Sequence, residues 1–337
     1  MNGVLIVVPC LNEERHLPGL LDWLIRENGD ATIVVADGGS TDASRSIVSR
    51  RAAHHANLIL LDNPARLQSA GINLAVRRHS AGHHWLVRVD AHCDYPSGYV
   101  GGLVEAARRH RAASVVVPMV TYGRGCFQKS AAAAQNSRLG NGGSAHRRIV
   151  SGRFVDHGHH ALFDLALFRQ VGGYDESFSH NEDAEFDLRL AAAGGRIWLE
   201  PALPLGYWPR DRPGALFRQY RGYGRGRAMT LARHAAPIKL RQAIPVAIAP
   251  LVLMALVGFC LAPIVPRASL LALPALGWAT LCLGYGLVLG VRNRSRCMAG
   301  AGMAAMVMHL AWSLGFIGQK LIGPRPGLPP RAIEALA

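Results

Sequence analysis

The sequence predicts an α/β protein in which a Rossmann-like, mostly parallel sheet is followed by C-terminal transmembrane helices. Through residue 210, short apolar runs rich in β-branched residues alternate with charged, helix-like stretches, which is the pattern of a parallel sheet covered by helices. Beyond Arg241, three long stretches contain no Lys, Arg, Asp or Glu. The 337 residues are 50% hydrophobic and 18% charged, a high apolar content for a purely soluble enzyme.

The elements of the first region can be placed one by one. The predicted strands are Val4–Val8, Thr32–Ala36, Leu58–Leu61, Trp85–Val89 and Ser114–Val117. The predicted helices lie near Glu13–Glu27, Asp42–Ala53, Ala65–Arg78 and Tyr99–Arg109. Ligands of such sheets bind beyond the carboxyl ends of the strands. Polar residues follow each of the first four strands there, namely Asn12 and Glu13, Asp37, Asp62 and Asp90.

The uncharged stretches 242–266, 268–291 and 297–319 are each long enough to cross about 30 Å of hydrocarbon as a helix. A buried helical core is the alternative, but three such runs in succession favour membrane spans. The predicted organisation is a cytosolic catalytic domain (1–210), a basic amphipathic interface segment (211–241), a membrane domain with about three spans (242–322) and a tail (323–337).

Loop charges predict the orientation in the membrane. The loop after the first span carries only Arg267, whereas the next loop carries Arg292, Arg294 and Arg296. The positive-inside rule then places the catalytic domain on the cytoplasmic side of the cytoplasmic membrane. Three full crossings would put the tail, with Lys320, Arg325 and Arg331, outside. Either that tail tolerates translocation, or one hydrophobic segment is re-entrant or interfacial.

The net charge calls for an acidic partner. Lys and Arg number 37 against 22 Asp and Glu, which gives +15, so nucleic acid, anionic lipid and a phosphorylated substrate are all candidates. The stretch Arg210–Arg241 interleaves arginines with apolar and aromatic residues beside the first predicted span. We therefore expect membrane lipids, and not nucleic acid, to be the partner of this stretch.

The cysteines predict no disulfide framework. They show neither a CxxC pair nor a regular spacing, so reduced and mostly buried thiols are expected. The six are Cys10, Cys93, Cys126, Cys260, Cys282 and Cys297.

The first chemical motif is Asp37–Asp42, an acid at a strand end followed by two glycines and by residues that open a helix. Glycines let the backbone approach a ligand, and Ser40 or Asp42 can cap the helix. Asp37 can accept hydrogen bonds from a base or a ribose. The motif indicates a nucleotide cradle, although an ordinary strand–helix turn uses the same residues.

The second motif is Asp90 with His92, directly after the strand Trp85–Val89. Alternation directs both side chains to one side, where they can meet a divalent ion that bridges two phosphates. Such an ion would neutralise charge on a departing diphosphate. Alternatively, Asp90 caps the next turn and His92 is an exposed loop histidine.

The third motif, Asn181-Glu182-Asp183, places acids at the start of a predicted helix. The helix dipole favours acids there in any case. A general base must nonetheless be a carboxylate or a histidine near the acceptor hydroxyl, and Asp183 is of the right type.

The cluster His157-Gly158-His159-His160 has two possible uses. Zinc binding is disfavoured, because the spacing lacks a partner cysteine or carboxylate pattern. We expect the cluster to line an acceptor or diphosphate pocket, with His157 as its candidate site residue.

The order of these motifs resembles a family 2 glycosyltransferase of the GT-A fold. The ordered set is Pro9–Glu14, Asp37–Asp42, Asp90–His92, Gly172–Glu176 and Asn181–Asp183, within roughly the first 230 residues. The details Val89–His92 and Gln219–Arg227, followed by C-terminal spans, are most similar to the succinoglycan-type glucosyltransferases.

The resemblance implies roles for particular residues. The expected donor-binding residues are Pro9, Asn12, Glu13, Asp37, Gly38 and Asp90. Asp90 and His92 would hold Mg²⁺ or Mn²⁺, and Asp183 would be the base of an inverting, single-displacement transfer. The expected acceptor or diphosphate residues are Glu182, His157, Gln219, Arg221, Arg225 and Arg227.

Two positions depart from the family pattern. His92 stands where the usual metal motif has a second acid, and imidazole suits Mn²⁺ better than Mg²⁺. Processive members carry a Gln-x-x-Arg-Trp motif, whereas Gln219 is followed by arginines but by no Trp. Processive polymerisation is therefore not expected, and these arginines would instead clamp a diphosphate.

The resulting hypothesis is non-processive transfer from a UDP-sugar, with UDP-glucose as the expected donor, to a polyprenyl-diphosphate-linked saccharide. One alternative is a transferase in which a polyprenyl phosphate itself attacks the sugar. A nucleotidyltransferase would open with a glycine-rich loop bearing Arg and Lys, which Pro9–Glu14 is not. A non-enzymatic nucleotide-sugar-binding scaffold is the last alternative.

Overall fold

The computed structural model describes residues 3–143, 151–238 and 240–323. The strands in these ranges are β1 (Val4–Cys10), β2 (Thr32–Asp37), β3 (Leu58–Asp62), β4 (Trp85–Arg88), β5 (Cys93–Asp94), β6 (Ser114–Val117), β7 (Met119–Thr121), β8 (Arg153–Val155), β9 (His159–Asp164), β10 (Ile197–Leu199) and β11 (Leu205–Tyr207). The first eight α-helices are α1 (Leu17–Glu27), α2 (Ser44–Ala52), α3 (Gln68–His79), α4 (Tyr99–His110), α5 (Cys126–Asn136), α6 (Arg138–Asn141), α7 (Leu165–Gln170) and α8 (Glu182–Ala192). The later ones are α9 (Pro213–Arg233), α10 (Leu240–Val246), α11 (Ile248–Leu261), α12 (Leu273–Arg292), α13 (Arg296–Ala299) and α14 (Ala301–Ile322), with a 3-10 helix at Pro266–Ala272.

The described residues divide into two compact units. The first unit contains residues up to Met119 and the range 151–207, and the second contains 120–143 and the chain from Trp208 onward. The segment that carries α5 and α6 therefore belongs with the C-terminal helices, although it lies between strands of the first unit in sequence.

The first unit is built on an eight-stranded, mostly parallel sheet with the order β3-β2-β1-β4-β9-β6-β10-β8. Strands β3, β2, β1 and β4 run parallel to one another. Strand β9 runs antiparallel to both of its neighbours, β4 and β6. The predicted α/β fold class is confirmed, and the five predicted strands correspond to β1–β4 and β6.

Helices pack on both faces of this sheet, and every residue of β1 except Pro9 is therefore buried. The alternating residues Val4, Ile6, Val8 and Cys10 share one core cluster with apolar residues of α1 and α4. Helix α3 packs on β1 and β2, and it buries Ile72, Ala75 and Val76. A strand buried on both faces reads as a continuous apolar run, as this one does.

The second unit contains the hydrophobic C-terminal helices. Three helical segments, Gln242–Leu261, Pro266–Arg292 and Arg296–Ile322, are long and apolar enough to cross a membrane, judged by length and composition. Helix α14 has its most extensive contact with α9, and it also packs on α12 and α5.

A disulfide joins Cys126 at the start of α5 to Cys297 in α13, across a sequence separation of 171 residues. The expectation of reduced thiols is wrong for this pair. The pairing depends on the packing of α5 against α13, which sequence spacing does not reveal. The four other cysteines are free thiols.

Candidate active site

Sheet topology gathers the predicted polar residues at one edge. The parallel strands β1, β2 and β3 end in register, since Cys10 pairs with Asp37 and Asp37 pairs with Asp62. Strand β9 begins at this same edge because it runs antiparallel to β4, with Val87 opposite Leu162. The edge therefore combines the carboxyl ends of four parallel strands with the first residues of β9.

The loops after β1 and β2 are hydrogen-bonded to each other. The Asn12 backbone N–H donates to Ser40 Oγ at 2.9 Å, and the Thr41 backbone N–H donates to Asn12 Oδ1 at 2.8 Å. The Glu13 N–H donates to Ser44 Oγ at 2.8 Å, and the Gly38 N–H donates to Cys10 O at the same distance. The two segments predicted to hold the nucleotide thus form one continuous loop structure directly after Pro9.

Asp37 is buried at the centre of this structure. Its Oδ2 accepts from the N–H groups of Gly39 and Ser40, both at 3.1 Å, and from Arg45 Nη1 at 2.8 Å. Burial by itself would raise the pKa of Asp37, but the hydrogen bonds from Ser40 and Arg45 outweigh it and lower that pKa. Asp37 is therefore an ionised acceptor held in a fixed orientation. The Arg45 contact, which is shared with Asp62, was not predicted.

A buried arginine links the second and third predicted motifs. Arg88 is only 6% exposed, and its Nε donates to Asp90 Oδ1 at 3.1 Å. Its Nη1 donates to Asp183 Oδ1 at 2.8 Å, across 95 residues of sequence. Glu182 Oε1 lies 3.9 Å from the same nitrogen. One guanidinium thus holds together the carboxylate at the end of β4 and the acids that open α8.

Asp90 has further partners. Gln68 Nε2 donates to Asp90 Oδ1 at 3.1 Å, and His159 Nε2 lies 3.6 Å from Asp90 Oδ2. Burial would raise the pKa of Asp90, but the charges of Arg88 and His159 outweigh it and lower that pKa. Asp90 is thus a fixed, ionised carboxylate of the site.

His92 is paired with a different predicted residue. Its Nδ1 lies 2.8 Å from Glu13 Oε1, and its ring centroid lies 6.2 Å from that of Tyr207. Within the described residues, no group of three or more His, Cys, Asp and Glu side chains is arranged to hold a metal ion. The predicted metal pair is therefore divided between two sets of contacts, one around Arg88 and one around Glu13.

The three histidines of the 157–160 cluster each contact a carboxylate. His157 Nδ1 lies 2.7 Å from Asp187 Oδ2, and His160 Nε2 lies 2.7 Å from Asp187 Oδ1. His160 Nδ1 also lies 3.2 Å from Asp183 Oδ1, whereas His159 faces Asp90. These contacts extend the polar network from Asp90 through Arg88 and Asp183 to Asp187.

Burial and charge set the protonation of this network. Burial would lower the pKa of His160, but Asp187 and Asp183 outweigh it and raise that pKa to about 10. Burial would likewise raise the pKa of Asp183, but Arg88 and His160 hold it well below its usual range. The pKa of Glu182 is raised to about 7, first by burial and then by the Asp183 charge. At neutral pH, His160 is therefore cationic and Asp183 is ionised.

The turn Gly172–Glu176 is fixed by Asn73 of α3, which was not predicted. Asn73 Nδ2 donates to Tyr174 O at 2.7 Å and to Glu176 Oε1 at 3.0 Å, and the Tyr174 N–H donates to Asn73 Oδ1 at 2.9 Å. Tyr174 OH in turn lies 2.9 Å from His160 Nδ1. The turn thus contacts the histidine that supports Asp183.

The remaining predicted residues lie on α9, in the second unit. Gln219 Nε2 donates to Tyr223 OH at 3.0 Å, and Arg225 Nε donates to Gln319 Oε1 of α14 at 2.9 Å. Arg221 is exposed, and Arg227 is half-buried. Their contact with an acceptor or a diphosphate stays a prediction.

Comparison with known proteins gives consistent matches. Residues 5–172 match the family described as glycosyl transferase family 2. The chain is 48% identical over 315 residues to the succinoglycan biosynthesis protein ExoA of Rhizobium meliloti (strain 1021), covering 93% of each chain. It is 22% identical over 246 residues to the dolichyl N-acetyl-alpha-D-glucosaminyl phosphate 3-beta-D-2,3-diacetamido-2,3-dideoxy-beta-D-glucuronosyltransferase of Methanococcus voltae, covering 69% of this chain and 75% of that protein.

A solved structure shows the same fold. The mannosyltransferase PcManGT from Pyrobaculum calidifontis, determined with GDP-Man and Mn²⁺, superposes with a TM-score of 0.53 at 20% identity. The match covers 92% of this chain and 87% of that one. This likeness supports the GT-A assignment of the first unit.

Arg88→Met should destabilise the protein by about 3–5 kcal/mol, because Asp90 and Asp183 would keep their buried charges without a partner. The measurement is the free energy of unfolding in detergent. Arg78→Met is the control, since Arg78 is exposed and its replacement should change stability little. An Arg88→Met protein as stable as the wild type would contradict the view that Arg88 balances the charges of Asp90 and Asp183.

Glu182→Gln should raise stability relative to the wild type, and increasingly so as the pH rises from 5 to 8. The raised pKa means that folded Glu182 binds its proton up to pH about 7, whereas the unfolded side chain releases it near 4.5. The free energy of unfolding of the wild type therefore falls by on the order of 3 kcal/mol between these two pKa values. Melting temperatures of both proteins across the pH range test this, with the exposed Glu105→Gln as control. A difference that does not change with pH would refute it.

Proposed function

This chain belongs to the family 2 glycosyltransferases, with ExoA of succinoglycan biosynthesis as a 48% identical relative, and we propose that it transfers one sugar at a time from a UDP-sugar to a lipid-linked saccharide. UDP-glucose is the expected donor, and an exopolysaccharide or related glycan is the expected product. The observation that carries the proposal is the Asp90–Arg88–Asp183 bridge, which holds a donor-side carboxylate next to an acceptor-side one.

The donor half of the site consists of the two bonded loops. Asp37 is positioned as an ionised acceptor for the base or ribose of the nucleotide. Asn12, Glu13 and Gly38 lie along the same loops, and Pro9 lies in β1 just before them. These four residues are proposed to enclose the uridine. Asp90 would then face the diphosphate, because it lies just beyond the carboxyl end of the neighbouring parallel strand.

The donor half of the site offers a divalent ion too few protein ligands, so the donor itself would have to supply the others. Asp90 supplies an ionised carboxylate and His92 an imidazole, which together suit Mn²⁺ or Mg²⁺ incompletely. Since the described residues form no metal group of three side chains, diphosphate oxygens would have to complete the coordination. When bound, the ion would neutralise charge on the departing UDP.

The acceptor half centres on Asp183. Its Oδ1 contacts both Arg88 and His160, so Oδ2 is the oxygen proposed to receive the proton of the acceptor hydroxyl. The acceptor oxygen would bond to the anomeric carbon while the bond from that carbon to UDP breaks, which inverts the configuration. The two cations keep Asp183 ionised and weakly basic. Proton transfer is therefore expected late, when the sugar's positive charge has made the hydroxyl more acidic.

A lipid-linked acceptor is supported by the second unit and by one relative. Three apolar helices can associate with a membrane, and the Methanococcus voltae relative is a transferase named for a dolichyl phosphate sugar. Glu182 and His157 lie beside Asp183 and Asp187, where they would contact the incoming saccharide. Gln219, Arg221, Arg225 and Arg227 of α9 are proposed to bind the lipid diphosphate on the cytoplasmic side of the cytoplasmic membrane.

Asp183→Asn should lower the rate of sugar transfer by about a hundredfold or more, because the amide cannot accept the hydroxyl proton. UDP affinity should stay near that of the wild type. The assay follows labelled sugar from UDP-glucose into the lipid fraction of membranes that contain the enzyme. Asp22→Asn is the control, since Asp22 lies in a surface ion pair with Arg51. Transfer that survives in Asp183→Asn would favour a polyprenyl phosphate nucleophile, which needs no base.

Mn²⁺ should bind appreciably only when UDP is present, because two protein ligands hold a divalent ion weakly. Calorimetric titration of the purified protein with Mn²⁺, with and without UDP, measures this directly. His92→Ala should weaken the UDP-dependent binding, and His54→Ala, at an exposed position, should not. Tight binding of Mn²⁺ without UDP would show that the protein holds the metal through residues other than this pair.

A further inference from the structure

The last of the three apolar segments differs from the other two. Of its most apolar 18 residues, 50% are buried inside the protein, against 17% and 22% for the corresponding residues of the first two segments. The buried residues of α14 extend from Ala301 to Gln319, nearly its whole length. A helix that faces lipid on most sides would instead have few residues buried inside the protein.

Helix α9 lies along α14 over this whole length and in the same direction. Near the start of α14, Leu216 belongs to one apolar cluster with Ala301, Ala304, Ala305 and Met308. Near the end, Phe316 packs with Ala228 and Leu231. Beyond it, Arg225 bonds to Gln319.

Glycines let the two helix backbones touch. A Cβ at Gly224 would lie 2.0 Å from Trp312 O, and a Cβ at Gly315 would lie 2.0 Å from Arg221 O. Nothing larger than glycine fits at either position without separating the helices. Helices α9 and α14 therefore form one closely packed pair, and both helices must have the same orientation relative to the membrane.

Helix α9 is not able to cross a bilayer. It contains five arginines, Arg218, Arg221, Arg225, Arg227 and Arg233. Each would cost about 2.5–3.5 kcal/mol near the bilayer centre. Three of them, Arg218, Arg221 and Arg225, are exposed at helical spacing, which forms a cationic face suited to anionic headgroups.

Helix α14 presents an apolar stripe along its outer side. Met303, Leu314 and Leu321 are exposed, and Leu310 and Ile317 between them are half-buried. These positions are separated by seven, four, three and four residues, so they lie on one face of the helix. The helix pair thus combines a row of arginines with a parallel row of aliphatic side chains, as helices that lie in a membrane surface do.

We propose that α14 does not cross the membrane but lies in its surface together with α9, with the aliphatic stripe in the acyl region and the arginines among the headgroups. Only the antiparallel hairpin formed by α11 and the first part of the helical segment Pro266–Arg292 then enters the bilayer, where Ala255 packs with Ala272 and Ala275. The later part of α12, from Trp278 to Gly286, stays beside α14, on which it packs. Because such a hairpin goes in and returns, Lys320 stays on the same side as Pro213. Lys320 then lies on the cytoplasmic side, where the positive-inside rule places basic residues, and no basic segment after α14 has to be translocated.

Probe depth along α14 tests this proposal. Single cysteines at Met303, Leu310, Leu314 and Leu321 would carry a fluorophore in the full-length protein, reconstituted in vesicles with anionic lipid. The background replaces Cys260, the exposed free thiol, by alanine. Lipids with quenchers at different acyl positions report depth, and a probe at the exposed Glu105 supplies the unquenched reference.

The proposal expects the same shallow depth at all four positions. A crossing helix would instead change depth along the roughly 27 Å between Met303 and Leu321, with the deepest probe in the middle, and that profile would overturn the proposal. Absence of lipid quenching at all four positions would also overturn it, because the stripe would then be covered by something other than lipid.

Protease digestion of sealed membranes gives an independent readout. Epitope tags at the two ends of the full chain should be digested from the same face of the membrane. Digestion of one tag while the other is protected would contradict the proposal whatever the activity of the enzyme. The test is thus separate from the proposed sugar transfer.

Discussion

A buried guanidinium between two carboxylates is the constraint on which the candidate site depends. Arg88 lies at the end of a central strand and is almost inaccessible to solvent, so its charge must be balanced inside the protein. Asp90 and Asp183 provide this balance. Movement of either carboxylate would cost the arginine one of these two partners, which fixes the distance between Asp90 and Asp183.

The rest of the network follows from the sheet. Because β9 runs antiparallel between β4 and β6, its first residues reach the edge where the parallel strands end. His159 then faces Asp90, and His160 faces Asp183 and Asp187. Two cations, Arg88 and His160, thus share three carboxylates, and the raised pKa of Glu182 limits further negative charge near neutral pH.

Much of the fold was predictable because its signals are local. The apolar runs of β1–β4 and β6 and the acids that follow them are visible in the sequence, and the motif order led to Asp37, Asp90 and Asp183. Arg88 was not predicted as a site residue, since an arginine at the end of an apolar strand gives no sign of a partner 95 residues away. Gln68 and Asn73 were missed for the same reason. The Cys126–Cys297 disulfide and the pairing of α9 with α14 likewise depend on contacts between distant segments.

The central claim is that Asp90 and Asp183 are energetically coupled through Arg88. A double-mutant cycle on the free energy of unfolding in detergent, with Asp90→Asn, Asp183→Asn and the double variant, measures that coupling directly. Two carboxylates that share one buried guanidinium should give effects that deviate from additivity by more than about 0.5 kcal/mol. Effects that add within about 0.3 kcal/mol, as for independent sites, would contradict the account.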